Sequence, residues 1–345
     1  MTSANWLLHR SPDKWKFYSS SEPFFWSDEL NCWITCDPST ITSILKMKEF
    51  SAIDYKQETC KLAHRIGAEL LYVERTLGYV PLAQEGSRHL TLRKEMAIQL
   101  SGQAETALHA FNELAQEKIA SAFMHEEIVD VVSEVFGPCV TKLMSELSGI
   151  CLNEHKDEVS PTQLFDKFLS VNRRKIINEE LERMLGNAIE NWSSDEAGRR
   201  VAMVVLGSDA LLGSIGESFV YSISKNREKS MNEIAWPKML PITAVPYVER
   251  VATCPVELAG VRVQEDQRVR VYLDAFRSDG IDHQDCYFGA GRHTCIGKAI
   301  SQRAWGIVTS NLQKVRKKVS VSTVKYRVSD YVFNCPVSIE VSIDV

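Results

Sequence analysis

The run SDEAGRRVAMVVLGSDALLGSIGESFVYSISKN, beginning at Ser194, restricts the fold more than any other stretch. It has helical spacing, no proline, several glycines and apolar residues on more than one side. A helix of that kind has to be surrounded by other elements rather than laid against a single one. The spacing therefore predicts a long central helix within a largely helical assembly. Its neighbours agree: ALHAFNELAQEKIASAF and VVSEVFGPCVTKLMSEL, between Arg88 and Ile150, read as helix. After the polar break CLNEHKDEVSPTQ, FDKFLSVNRRKIINEELERMLGNAIENW resumes the same spacing.

The two ends read differently. NCWITCDPSTITSILKMKEFSA predicts a strand followed by a helix, with Asp37 as cap and Pro38 in the first turn. Past Trp236 come proline-punctuated strands, PITAVPYVERVA, VELAGVRV and QRVRVYLDAF, then one more helix near Cys295. The end, KYRVSDYVFNCPVSIEVSIDV, alternates like a closing hairpin. The expected fold class is mainly α with small β-sheets. It forms one domain over residues 1–345, helix-rich at 80–235, β-containing at 236–345, with N-terminal strands near 25–40.

A net charge of -5 without long Lys/Arg runs argues against general nucleic-acid binding, which needs a basic footprint. The opening MTSANWLLHRSPDKWKFY lacks the apolar core of a signal peptide, and no window is read as approaching the roughly 20 apolar residues of a membrane span. The expectation is a cytoplasmic protein with no membrane partner. The 9 cysteines are odd in number and irregularly spaced, so most are expected to be reduced core residues. CxxC and HExxH are absent, and Cys32-Trp-Ile-Thr-Cys36 reads as alternating strand rather than zinc site. A functional cysteine has to be chosen by its neighbours.

Those neighbours single out FGAGRHTCIG, Phe288–Gly297. Gly289, Gly291 and Gly297 let the backbone turn tightly and approach a flat ligand. The helix expected just after Cys295 points its amides and positive dipole end at the sulfur, which favours a thiolate. A thiolate so held is a nucleophile or a metal ligand. Cys-His nucleophilic catalysis with His293 is one reading, although residues two apart rarely form a productive pair.

The loop resembles the heme-binding signature of the cytochrome P450 monooxygenases, Phe-Gly-x-Gly-x-His-x-Cys-x-Gly, at every specified position. That resemblance implies a shortened cytochrome P450-like heme-thiolate fold. In it Cys295 is the axial ligand of heme b (iron protoporphyrin IX), shielded by Phe288. GSRHLTLRKEMAIQLS looks like the family's helix beneath the heme edge, with His89 and Arg93 on one face as propionate partners. Arg250, in VPYVERVATCPVELAG, and His293 match the family's other two. The resemblance further implies oxidation of a small or medium organic molecule, by analogy in specialised-metabolite biosynthesis. Electrons would come from a ferredoxin or flavodoxin-type donor, with Arg292, Lys298 and Arg303 as a basic patch for an acidic partner.

The pattern also breaks. The chain is shorter than typical soluble members, between the long helix and Glu233 and between Arg277 and Phe288. The family's Glu-x-x-Arg pair becomes Glu233-Ile-Ala-Trp236, without the arginine; Trp236 is expected to pack there instead. On the long helix the family's Ala/Gly-Gly-x-Asp/Glu-Thr has two candidate registers. One is Leu206-Gly207-Ser208-Asp209-Ala210, which keeps the acid and loses the hydroxyl; the other is Ile215-Gly216-Glu217-Ser218. The first is preferred by position. Three readings stay open: a monooxygenase-type enzyme; a non-hydroxylating heme-thiolate enzyme (dehydratase, isomerase, peroxygenase or bond-forming oxidase); and a degenerate partner protein without catalysis.

Overall fold

The computed structural model describes residues 22–28, 30–125, 127–152, 160–165, 169–273, 287–326 and 333–344. The N-terminal leader reading, most of the polar break, the shortened stretch from Arg277 to Cys286 and the tip of the closing hairpin lie outside the described residues.

The expected strand-to-helix corner forms. Strands β1 (Phe25–Ser27) and β2 (Cys32–Thr35) pair antiparallel, and helix α1 (Pro38–Lys46) follows. The Asp37 carboxylate accepts the Thr40 amide at 2.7 Å, satisfying a donor that the first turn leaves open. Then come β3 (Phe50–Ala52), α2 (Tyr55–Ile66) and α3 (Leu71–Leu77). Asp54 caps α2, and Gly67 closes it at φ +60°.

Helix α4 (Gly86–His125) runs 40 residues without a break. The helical reading up to Ile150 is corrected after it. A short strand, β4 (Ile128–Asp130), intervenes, then a π-helical turn at Val132–Phe136, before helix α5 (Gly137–Ser148). The strand exists because the far end of the chain pairs with it, a partner that local spacing cannot show.

Helix α6 (Val171–Ile189) leads into the central helix α7 (Ser194–Lys225), capped by Ser193. Val201, Ala202, Met203, Val204 and Val205 are buried in succession, so every face of α7 is covered there. α7 is also long and apolar enough to cross a membrane by length and composition, which corrects the reading that no window approached a span; most of its apolar window is buried among the other elements.

The β-rich part holds β5 (Tyr247–Ala252), β6 (Val256–Leu258), β7 (Val261–Val263), β8 (Arg268–Tyr272), helix α8 (Lys298–Leu312), β9 (Lys318–Tyr326) and β10 (Pro336–Asp344). One sheet has the order β1-β2-β8-β5-β3, a second β4-β10-β9, and β6 and β7 form a hairpin. The eight described cysteines are free thiols.

The Glu-x-x-Arg motif has no helix here. Glu233 ends a one-turn 3-10 segment, Met231–Glu233, and its carboxylate accepts the Ser230 amide at 3.0 Å and hydroxyl at 2.6 Å. Trp236 stacks on Phe219 at 6.2 Å and meets Trp305 edge-on at 6.1 Å, while its indole N–H donates to the Met231 carbonyl. A buried ion pair occurs elsewhere. Glu249 and Arg270 face each other across β5 and β8, with the guanidinium donating at 2.6 and 3.0 Å. Arg270 also lies over the Tyr247 ring at 4.1 Å.

Candidate functional site

The cysteine loop is closed by the Cys295 amide donating to the Phe288 carbonyl at 2.8 Å. Gly289 and Gly291 take φ of +73° and +68°. At Gly291 a side chain is barred twice over, because its Cβ would lie 2.6 Å from the Leu45 carbonyl oxygen at the end of α1. The loop can therefore rest directly on that helix. Gly297 caps α8, and the amides of Gly297 and Lys298 donate to the Cys295 sulfur. Burial pushes the thiol's pKa up, with those two amides and the Arg93 and Lys298 charges pulling against it. Although the protein surrounds it, the sulfur is open to an internal cavity.

That cavity, about 680 Å³, lies between the cysteine loop and α7. From α4 come Arg93, Met96 and Leu100, one helical face. From α7 come Met203, Leu206, Gly207, Ala210, Leu211 and Ser214, again one stripe at helical spacing. Phe288, Gly289, His293, Cys295 and Gly297 form the sulfur end, with Arg250 of β5 beside them. Arg250 is buried, donates to the Glu249 carbonyl at 2.8 Å, and is held down to about 10 chiefly by burial.

His89 and His293, both buried, stack at 4.2 Å between ring centroids. Burial, reinforced by His293 and Arg93, brings His89 down to about 4. His293 is also lowered by burial, against the pull of its hydrogen bond to Glu85. Glu85 ties this corner together. Its carboxylate accepts the Ala52 amide at 2.7 Å, lies 3.1 Å from His293 Nε2 and pairs with Arg292 at 3.0 Å.

The structure thus brings Arg93, Arg250, Phe288, Gly289, His293, Cys295, Gly297 and Ala210 to one cavity, with His89 directly behind His293 and Gly291 behind the loop. Three expected residues stand off the described lining. Asp209 is buried to one side of the α7 stripe. Glu217 meets the Tyr326 hydroxyl at 2.5 Å, and the Ser218 hydroxyl exchanges hydrogen bonds with the Ile242 backbone at 3.3 and 3.4 Å. Of the basic patch, Arg292 is turned to Glu85 and Arg303 makes a bidentate pair with Glu105 at 2.5 and 2.8 Å, while Lys298 sits over the Phe288 ring.

Two residues escaped the sequence reading. Glu85 carried one signal, an acid four positions before His89. Ser214 carried another, an alcohol one turn past Ala210; its hydroxyl donates to the Ala210 carbonyl at 2.7 Å and accepts the Ala244 amide at 3.0 Å.

The residues fit an iron porphyrin. Among the described residues no group of three or more His, Cys, Asp or Glu is placed to hold a metal, so an iron on Cys295 would have to bring further ligands of its own. Arg93 and Arg250 at the sulfur end suit two carboxylates. The buried His89 Nε2 has no hydrogen-bond partner among the described residues, which a buried polar atom normally requires.

The sequence matches no model of a known protein family and no curated protein. Its likeness to solved structures is extensive. P450BioI, solved in complex with hexadec-9Z-enoic acid ligated acyl carrier protein, superposes with a TM-score of 0.79 at 14% identity, covering 99% of this chain and 100% of the other. P450 RauA, complexed with a biosynthetic intermediate of aurachin RE, gives 0.72 at 14%, over 100% and 98%. The thermophilic cytochrome P450 from Sulfolobus tokodaii gives 0.70 at 18%, over 96% and 99%. The chain has the cytochrome P450 fold.

Proposed function

We propose that this chain is a heme-thiolate oxidoreductase of the cytochrome P450 type, acting on an organic molecule held between the heme and α7. The observation that carries the reading is Cys295: a lone cysteine open to a cavity, with the Gly297 and Lys298 amides donating to its sulfur and Arg93 and Arg250 lining the same end. Bound heme b would supply iron-centred oxidation of the substrate, drawing on dioxygen and two electrons.

The chain's own residues supply the rest. Cys295 would hold the iron, with its two amide donors moderating the charge on the sulfur. Arg93, Arg250, His89 and His293 would hold the propionates. Gly207, Ala210 and Ser214 shape the wall above. A ferredoxin or flavodoxin-type donor remains the proposed source of electrons, with the cytoplasm as setting, and specialised-metabolite biosynthesis is the analogy offered by such neighbours as P450 RauA.

A second reading rests on Ala210. Ala210, which in the preferred register stands at the family's hydroxyl position, lines the cavity with a methyl, and the Ser214 hydroxyl is engaged with backbone on both sides. That favours a non-hydroxylating or peroxide-driven heme reaction, or proton delivery through a substrate group. The first test is the carbon monoxide spectrum of the dithionite-reduced protein beside Cys295→Ser. The reading expects the heme-thiolate Soret band, lost in the variant; a protein holding no heme after reconstitution refutes it. Turnover with hydrogen peroxide and no reductase separates the second reading from the first.

A further inference from the structure

The wall of the cavity opposite α7 holds a phenol that the fold itself does not use. Tyr55, the first residue of α2, lines the cavity, and its ring meets Phe165 of the 3-10 segment Pro161–Phe165 edge-on at 5.4 Å. Protein surrounds the side chain, yet it keeps accessible surface, because it faces this internal space. Among the described residues its hydroxyl has no hydrogen-bond partner, which an enclosed polar group normally requires.

The groups around the hydroxyl are committed elsewhere. Glu249, Tyr247, Arg250 and Glu58 act on it electrostatically, and all four line the cavity. Glu58 pairs with Arg268, Glu249 with Arg268 and the buried Arg270, and Arg250 donates to the Glu249 carbonyl. Burial pushes the Tyr55 pKa up, Glu249 and Tyr247 add to the rise, and Arg250 opposes it only in part. The phenol therefore stays protonated, a donor in a place that disfavours negative charge. Its position is deep: Lys61 and Arg65, farther along α2, are exposed, whereas Tyr55 neighbours Arg250 at the sulfur end. Much of the remaining lining is apolar, with Met96, Met144, Leu147, Leu164 and Met203. One neutral donor in such a wall sets the orientation of whatever fills it.

We propose that Tyr55 is a specificity-determining residue whose hydroxyl donates to a neutral oxygen acceptor of the substrate, such as a carbonyl. The substrate is then an uncharged, largely apolar organic molecule, and this bond fixes which part of it is turned toward Cys295. The proposal rests on the heme reading for the chemistry at the sulfur end and names the class of molecule that chemistry meets.

The test is calorimetric titration of the full chain, loaded with heme, with benzophenone and diphenylmethane, which are alike in size and differ by one carbonyl oxygen. Tyr55→Phe removes only the hydroxyl and keeps the ring against Phe165. Relative to the hydrocarbon, the ketone should bind about fivefold more weakly to the variant than to the parent, the effect of one neutral hydrogen bond. Comparing the two ratios cancels the different hydrophobicity of the ligands. No binding of the ketone to the parent, or the same ratio in parent and variant, would overturn the proposal. The rival acceptor is a heme carboxylate beside Arg250. Heme release from Tyr55→Phe is expected within about twofold of the parent rate; faster release than that would assign the phenol to the heme and overturn the proposal as well. A carbon monoxide spectrum of the same sample separates the two failures: loss of the heme-thiolate band counts against the proposed function, while the ketone-to-hydrocarbon ratio still decides the role of Tyr55.

Discussion

Glu85 offers the sharpest test of how the sulfur end of the cavity is built. Burial raises its pKa, but hydrogen bonds from His293 and the Ala52 amide, with the His293 and Arg292 charges, outweigh that and bring it from 4.5 to about 2. A carboxyl lowered that far on folding corresponds to roughly 3 kcal/mol. With 33% of the Glu85 side chain exposed, solvent screening reduces this to about 2 kcal/mol. The folded value lies below the unfolded one, so the stabilisation is fully present above pH 4.5 and is lost as pH falls through about 2. Glu85→Gln keeps the shape and removes the charge. The variant should melt about 3 °C below the parent at pH 7, from an unfolding entropy of roughly 2 cal/mol/K per residue. That gap should narrow below pH 4.5 and close as the pH approaches 2. Thermal and urea unfolding at several pH values measure it. Equal midpoints at pH 7, or a gap that stays constant into acid, would refute the role assigned to the carboxylate.

Three further perturbations probe other parts of the fold. Trp236→Arg restores the letters of the Glu-x-x-Arg motif but should destabilise by about 2–3 kcal/mol, because it breaks the Phe219–Trp236–Trp305 cluster and Glu233 already serves as a cap. A double-mutant cycle with Glu233→Gln should show coupling near zero; about 1 kcal/mol or more would mean an ion pair had formed. Gly291→Ala should cost at least about 2 kcal/mol and Gly289→Ala roughly 1, since both have positive φ but only the former brings Cβ within 2.6 Å of a carbonyl; urea midpoints in the reverse order would contradict the loop geometry. Ala210→Thr should change the product formed per electron pair consumed while Ser218→Ala leaves it unaltered, and the opposite result would transfer the site to the second register of α7.

Much of this protein was legible before any coordinates. The central helix could be read from its own composition, since a segment apolar on several sides can be satisfied in water only by being surrounded. Asp37 and Pro38 fixed the start of α1 through contacts within four residues. The glycines around Cys295 marked a loop whose backbone has to approach something closely, and the signature around them named the fold to which the solved structures then proved similar. All of these are local: the residues that form the contact are neighbours in sequence.

What only the tertiary structure decided depends on partners far along the chain. β4 became a strand because β10 lies beside it, some two hundred residues later. The sequence favoured the Leu206–Ala210 register of α7 only by its position along the helix, because the rotation of a helix about its axis is set by everything packed around it. That rotation turned Ala210 and Ser214 to the cavity and left Glu217 facing Tyr326. Glu85 took on its role only because Ala52 of β3 and the adjacent Arg292 and His293 of the cysteine loop converge on it from two distant segments. Periodicity and turn chemistry act over a few residues and can be read in order; burial, ion pairing and helix rotation depend on which distant surfaces meet.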